Sequence, residues 1–329
     1  MCGIAGWINL KEDISKNRDV ILNMTDTLKK RGPDDAGYYF SKNALLGHRR
    51  LVVVDPSGGA QPMSKSVGGR RYIIVYNGEL YNTEDLRKLL IKENYSFKSY
   101  SDTEVLLTSY IHWGINCLKH INGIYAFAIW DESKNQIFMA RDPLGVKPLF
   151  YTVKNNSLIF GSEIKTLLAH PFIEPVVDRD GLTEIFALGP ARSLGGGVFK
   201  GIYEVPPANY VLYDRYGIKL REYWKPQCKI HNEDTDTTAQ HVKTLLVDAI
   251  KRQLVADVPV CTLLSGGLDS SVISTVAAAE FKKQGKTLNT YSIDYEDNDK
   301  YFKANSFEPT PDRVWALKTS DYIKSVHHG

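Results

Sequence analysis

MCGIAGW, residues 1–7, places a cysteine second, ahead of an apolar stretch that predicts a strand over residues 3–9. Position alone leaves two readings of Cys2. It is a small hydrophobe packed in an edge strand. Or, with Met1 removed, it is a residue that carries both a thiol and a free α-amine. An α-amine titrates near ~7.7–8.0, so part of it is neutral at pH 7. It can then act as a general base toward its own side chain, directly or through one water. Thiols are strong nucleophiles, and such a residue needs neither a histidine nor an aspartate partner.

Working outward, the chain has 329 residues, more than one ordinary domain needs and about right for two. Its 43% hydrophobic and 24% charged residues fit the soluble globular class. The near balance of 41 basic and 38 acidic residues gives no electrostatic case for nucleic acid or an anionic membrane. No apolar run approaches the ~18 residues needed to span a bilayer. The N-terminus lacks the pattern of a secretory signal, so a cytoplasmic location is expected. Cys2, Cys117, Cys228 and Cys261 are scattered without C-x-x-C spacing, which argues against a disulfide framework and against a zinc site.

Apolar spacing predicts a helix over 18–30, stopped by Gly32-Pro33. Strands are expected at 37–40, 44–47, 51–54 and 72–76, then helices at 83–93 and 103–112. Further strands are expected near 124–131, 136–140, 148–153 and 157–161, with turn residues between them. Helices at 162–169 and 179–188 lead to strands at 202–205 and 209–214. Many strands with helices grouped between them predict an α+β layered domain over residues 2–222. Residues 223–236 turn polar and read as a linker. Over 237–329 the pattern becomes helix (237–253), strand (258–264), Gly-rich turn, helix (269–283) and strand (288–293). That alternation predicts the start of a parallel α/β sheet.

The stretch RYIIVYNGELYN (71–82) carries Asn77-Gly78-Glu79. Asn-Gly is a hairpin signal. It is also what an oxyanion hole needs, an Asn77 amide and a Gly78 backbone N–H aimed together at developing charge. GHRRLVVVDPSGGAQPM (47–63) supplies Arg50, whose fork suits a carboxylate, and YSDTEV (100–105) supplies Asp102, a partner for an ammonium. Each alone reads as a surface charge; together they match the backbone of a free amino acid. In VPVCTLLSGGLDSS (258–271), Ser265-Gly266-Gly267-Leu268-Asp269-Ser270-Ser271 sits between a strand and a helix. Backbone N–H groups, hydroxyls and a helix N-terminus there suit a phosphate. No Gly-Lys-Ser/Thr follows, so it is not a Walker A loop.

MCGIAGW, RGPDDAG (31–37), GHRRL (47–51), YNGELYN (76–82), SDTE (101–104) and ARDPLGVKPLFY (140–151) resemble the amidotransferase domain of glutamine-hydrolysing asparagine synthetases. The resemblance covers about residues 2–215. It implies a class II glutamine amidotransferase with an N-terminal-nucleophile, layered αββα fold. By this resemblance Cys2 attacks the glutamine side-chain amide, and Asn77 and Gly78 form the oxyanion hole. Arg50 holds the α-carboxylate, Glu79 and Asp102 hold the α-amine, and Val53 makes a backbone contact. RGPDDAG resembles a loop at the glutamine site. A γ-glutamyl thioester forms as ammonia leaves, and water then gives glutamate.

SGGLDSS resembles the pyrophosphate loop of ATP pyrophosphatases, which implies the start of that α/β parallel-sheet domain. There Ser265, Gly266, Gly267, Asp269, Ser270 and Ser271 meet ATP phosphates, Asp269 helps hold Mg²⁺, and Leu264 and Ile293 flank the nucleotide. The two resemblances together imply an asparagine synthase reaction. Aspartate and ATP give β-aspartyl-AMP, which ammonia converts to asparagine with AMP and pyrophosphate. His327-His328 also resembles a family element. The sequence ends at SVHHG, before a later acidic Ser-Gly-Glu-Gly-Ala-Asp type loop of the family, so a synthetase shortened at its C-terminus is expected. Two alternatives stand beside it: an amidotransferase acting on another carboxylate, and a glutaminase-only or regulatory fragment. A homodimer is compatible with the resemblance, with no surface patch in the sequence to establish it.

Overall fold

The computed structural model describes residues 1–306 and 310–329. It divides into two compact units, Met1–Cys228 and Lys229–Gly329. Among the described residues, no helix is long and apolar enough to cross a membrane.

The first unit opens with β1 (Gly3–Asn9), α1 (Arg18–Asp26), β2 (Asp35–Phe40) and β3 (Ala44–Arg50). Next come β4 (Met63–Val67), β5 (Arg70–Leu80), α2 (Thr83–Lys92) and α3 (Asp102–Trp113), with a 3-10 turn at Gly114–Lys119. The strands β6 (Gly123–Asp131), β7 (Gln136–Arg141), β8 (Phe150–Lys154) and β9 (Ser157–Gly161) follow. The unit closes with α4 (Ile164–Leu168), α5 (Arg179–Leu188), β10 (Tyr203–Glu204), β11 (Asn209–Asp214) and β12 (Gly217–Glu222).

These strands form two antiparallel sheets, ordered β10-β8-β9-β1-β3-β2 and β12-β11-β7-β6-β5-β4. They stack face to face, α1 and α4 cover the outside of the first, and α3 covers the outside of the second. Both faces of the inner strands are therefore buried, which explains apolar runs without polar alternation. In β5, Ile73 and Val75 enter the core between the sheets, while Ile74 and Tyr76 pack under α3. In β6, Ala126, Ala128 and Trp130 point inward, and Tyr125, Phe127 and Ile129 point toward α3. In β1, Ile4 and Ile8 face the other sheet, and Ala5 and Trp7 face α1.

Four local expectations change. Residues 51–54 are not a strand. Their polar backbone atoms are drawn elsewhere: Asp34 Oδ2 accepts from the Val52 N–H at 2.8 Å, and Arg50 takes the Val54 carbonyl. Asn77-Gly78 is not a turn, because β5 runs through it with Asn77 opposite Ala126 and Gly78 opposite Tyr125. The first helix ends at Asp26, since Leu28 and Lys29 bond back to Thr25 and Asp26 in tighter turns. And β1 is an interior strand, between β9 and β3, not an edge. The strands β4 and β12 lie outside the strands the sequence pattern predicts; the exposed positions of β4 are Ser64 and Ser66, and β12 is exposed at five of its six residues.

The second unit runs α6 (Thr235–Arg252), β13 (Cys261–Leu263), α7 (Leu268–Lys283) and β14 (Asn289–Tyr291). Then come α8 (Asn298–Tyr301), α9 (Asp312–Ile323) and β15 (Val326–His328). Its strands pair in parallel in the order β13-β14-β15. The Thr262 and Ser274 hydroxyls bond at 2.8 Å and hold α7 to the sheet.

Candidate active site

In the first unit, a cavity of about 100 Å³ lies against the end of β1, β5 and the start of α3. Cys2, Arg50, Val53, Asn77, Gly78, Glu79 and Asp102 all lie on its lining. So do Met1, Leu51, Val54, Gly59, Gln61, Tyr76, Ser101, Thr103 and Lys147. Among the described residues, no histidine is on that lining. His48, the nearest candidate in sequence, is buried behind it, with a ring nitrogen donating to the Tyr76 carbonyl at 3.0 Å. Burial lowers its pKa to about 4, so it is neutral at pH 7.

Cys2 precedes β1 and is anchored through its own carbonyl, which accepts from Arg31 Nε at 2.9 Å. Arg31 is in turn paired with Glu163 at 3.1 Å. This is what RGPDDAG contributes: the arginine that fixes the cysteine backbone. The Leu51 N–H lies 3.4 Å from Cys2 Sγ and Sγ lies 3.6 Å from the Leu51 carbonyl. Burial raises the thiol pKa, opposed by the Leu51 contact and by the positive charges of the terminal amine and Arg50. A thiol held protonated needs a base to become a nucleophile. The Met1 amine donates to the Arg31 carbonyl at 3.1 Å. Burial lowers its pKa, and the nearby Arg31 and Lys147 cations lower it further against the pull of Cys2. The Met1 amine is therefore biased toward its neutral form.

Asn77 is 1% exposed, and its Nδ2 is buried without a hydrogen-bond partner among the described residues. A buried amide donor normally finds an acceptor. One left vacant on a cavity wall suits a charge that appears only during reaction. Gly78 follows where no side chain fits, since a Cβ would strike Tyr76 and Ile124.

Arg50 ends β3 and is nearly buried. Its Nη1 donates to the Pro56 carbonyl at 2.9 Å, and its Nη2 donates to the Val54 and Asp55 carbonyls at 3.2 and 2.5 Å. A guanidinium has five donors, so this fixed fork keeps capacity for a carboxylate. Asp102 opens α3 and is partly buried; desolvation raises its pKa to about 6 against the bonds it accepts from Leu80 and Tyr76.

Lys147, from ARDPLGVKPLFY, was not singled out as a site residue. It is 6% exposed, and its Nζ reaches Met1 Sδ at 3.4 Å. Gln61 lies outside the residues the sequence points to: its Oε1 accepts from the Tyr76 N–H at 2.7 Å and its Nε2 reaches Thr103 at 3.3 Å. A buried polar side chain inside GAQPM is the signal that marks it.

In the second unit, Leu264, Ser265 and Ile293 line a separate cavity with Ser292, Asp294, Asp312 and Arg313. Gly266, Gly267, Asp269, Ser270 and Ser271 are not on that lining; they form the turn and first residues of α7. Gly266 has φ +87°, and a Cβ there would approach the Asp312 carbonyl and Ala316 nitrogen at 2.7 Å. The Ser265 and Ser270 hydroxyls bond each other at 3.0 Å, closing the turn. Asp269 is exposed in the first turn of α7. Among the described residues no group of three or more His, Cys, Asp or Glu could hold a metal.

A family model described as a glutamine amidotransferase domain matches residues 1–224, and one described as asparagine synthase matches residues 241–329. Glutamine-hydrolyzing asparagine synthetase 3 of Bacillus subtilis (strain 168) is 53% identical over 329 residues, 100% of this chain and 54% of that protein. Putative glutamine-hydrolyzing asparagine synthetase 2 of Methanocaldococcus jannaschii is 35% identical over 349 residues, 100% of this chain and 64% of that protein. Amidase chry2 of Gibberella zeae is 32% identical over 317 residues, 89% of this chain and 45% of that protein. The chain spans about half the length of the curated relatives it matches.

Proposed function

Because the chain belongs to the glutamine amidotransferase family, with its class II N-terminal-nucleophile fold followed by the short parallel sheet that starts a synthetase domain, we propose that it hydrolyses glutamine at Cys2. One observation carries this reading. A single cavity gathers a thiol, a vacant amide donor, an arginine fork and two carboxylates, and no histidine.

With Met1 removed, the Cys2 amine takes the Sγ proton, and the thiolate attacks the glutamine side-chain carbonyl carbon. Asn77 Nδ2 and the Gly78 N–H hold the oxyanion. Collapse breaks the C–N bond, and the amine's proton goes to the leaving nitrogen as ammonia departs. The γ-glutamyl thioester remains. The same amine deprotonates a water, which attacks and releases glutamate and the thiol. Arg50 holds the substrate carboxylate, Glu79 and Asp102 hold its ammonium, and Val53 makes a backbone contact. Glutamate and ammonia release from glutamine tests this: Cys2→Ala abolishes both, and a Cys2→Ala chain that still forms glutamate overturns it.

The reading extends to the second unit as part of a longer enzyme. ATP binds at the α7 turn through Ser265, Gly266, Gly267, Asp269, Ser270 and Ser271, with Leu264 and Ile293 beside the nucleotide and Asp269 toward its Mg²⁺. The ion would neutralise phosphate charge. Aspartate would become β-aspartyl-AMP, and ammonia from the first unit would convert it to asparagine. Residues 2–222 serve the glutaminase and 237–329 the synthetase, with 223–236 between them, in the cytoplasm and as a homodimer. Aspartate-dependent exchange of pyrophosphate into ATP tests this half. Its absence beside intact glutaminase activity would favour the glutaminase-only fragment. A second reading is amidation of another carboxylate, which pyrophosphate exchange driven by a different acid would support.

A further inference from the structure

Two loops carry the groups that would grip a free amino acid. Residues 54–59 receive the Arg50 guanidinium, and residues 99–102 lead into Asp102. Asp55 joins them. It is 1% exposed. Its Oδ1 accepts from the Gly58 N–H at 2.8 Å, within its own loop. Its Oδ2 accepts from the Tyr100 N–H at 3.0 Å, across 45 positions of sequence. Its backbone carbonyl accepts from Arg50 Nη2 at 2.5 Å and from the Gly59 N–H at 2.9 Å. One residue thus meets the arginine through its main chain and the Asp102 loop through its side chain.

The surroundings are built to this contact. Asp55 has φ +50°, a conformation that Asp tolerates better than most residues. A Cβ on Gly58 would lie 2.5 Å from Asp55 Oδ2 and 2.8 Å from Ser99 Cβ. A Cβ on Gly59 would collide with Arg50 Nη2. The paired glycines of PSGGAQP stand where the carboxylate and the guanidinium need the room. An aspartate that only shaped its own turn would bond Gly58 and stop there.

We propose that Asp55 is a positioning residue that fixes the separation of Arg50 and Asp102, and so sets affinity for an L-α-amino-acid head rather than the chemistry at Cys2. This rests on the cavity being the glutamine site. The test labels Cys2 with two electrophiles. One, 6-diazo-5-oxo-L-norleucine, carries the amino-acid head; the other, iodoacetamide, does not. Asp55→Asn puts an amide where two N–H groups need acceptors. It should slow labelling by the diazoketone about 10- to 100-fold, leave iodoacetamide labelling unchanged, and raise the glutamine KM with little change in kcat. Gly58→Ala crowds the same carboxylate and should act in the same direction, which decides the matter if Asp55→Asn does not fold. Wild-type diazoketone labelling in both variants overturns the proposal, and so does equal slowing with both electrophiles. If the unmodified chain neither prefers the diazoketone nor hydrolyses glutamine, the glutamine-site reading itself has failed, and this proposal with it.

Discussion

The Tyr76 hydroxyl donates to Asp102 Oδ2 at 3.0 Å, yet burial outweighs that bond and leaves the Asp102 carboxyl with a pKa raised to about 6. The negative charge proposed to hold the substrate ammonium is therefore lost in mildly acidic solution. The glutamine KM should rise as pH falls through about 6. A KM that stays flat from pH 7.5 to 5 would contradict the assignment. The stability effect has the opposite direction. The folded pKa lies above the unfolded one, so the folded state binds more protons between about 4 and 6, and stability from this group falls as pH rises through that window. Asp102→Asn should then raise KM at pH 7.5 without lowering Tm. A variant that loses both affinity and Tm would make Asp102 a structural group.

Asn77 offers a cleaner separation of stability from catalysis. Its Nδ2 has no hydrogen-bond partner among the described residues, so Asn77→Ala removes no side-chain bond seen to hold the fold. We expect kcat for glutamine hydrolysis to drop about 10²–10³-fold, with KM and the unfolding midpoint nearly unchanged. A loss confined to KM would move Asn77 from the oxyanion to the ground state.

His170 tests the other side of the first sheet. It is boxed by Trp7 and Phe172, with ring centroids 4.4 and 4.8 Å away, and burial lowers its pKa to about 4. Its Nδ1 accepts from the Phe172 N–H at 3.1 Å. Here the folded pKa is below the unfolded value of about 6.5, so stability is lost as pH falls from 6.5 toward 4. His170→Asn keeps an acceptor for Phe172 but does not titrate. The acid limb of stability against pH should become shallower by up to about 1.4 kcal/mol per pH unit in that window. An unchanged slope would mean that His170 is protonated in the folded chain.

Much of this was legible in residue types and little of it in local boundaries. Ile73–Tyr76 and Tyr125–Trp130 read as strands because both faces are buried, which leaves no polar position to confuse the pattern. Asn77-Gly78 carries a turn signal with equal force inside a strand and at a hairpin, and only pairing with Ala126 and Tyr125 decides it. Leu51–Val54 is strand-like in composition, but Arg50 and Asp34 claim its backbone. The seven residues expected to bind glutamine share one lining; Cys2, Asn77, Gly78, Arg50 and Asp102 stand out by residue type, whereas Val53 and Glu79 follow only from the family resemblance. Lys147, Gln61 and Asp55 escaped notice because their roles depend on contacts across distant loops. In the second unit, α9 and β15 went unread, as the short strand Val326–His328 is bounded by neither glycine nor proline on its N-terminal side.

In the proposed mechanism, the free α-amine of Cys2 is the base for its own thiol. Glutamate formation should be measured on two preparations whose intact masses show Met1 removed or retained. Hydrolysis is expected from the processed chain, and near inactivity from the chain with Met1, because Met1 occupies the cavity lining and moves the free amine off Cys2. Equal rates from the two preparations would contradict it.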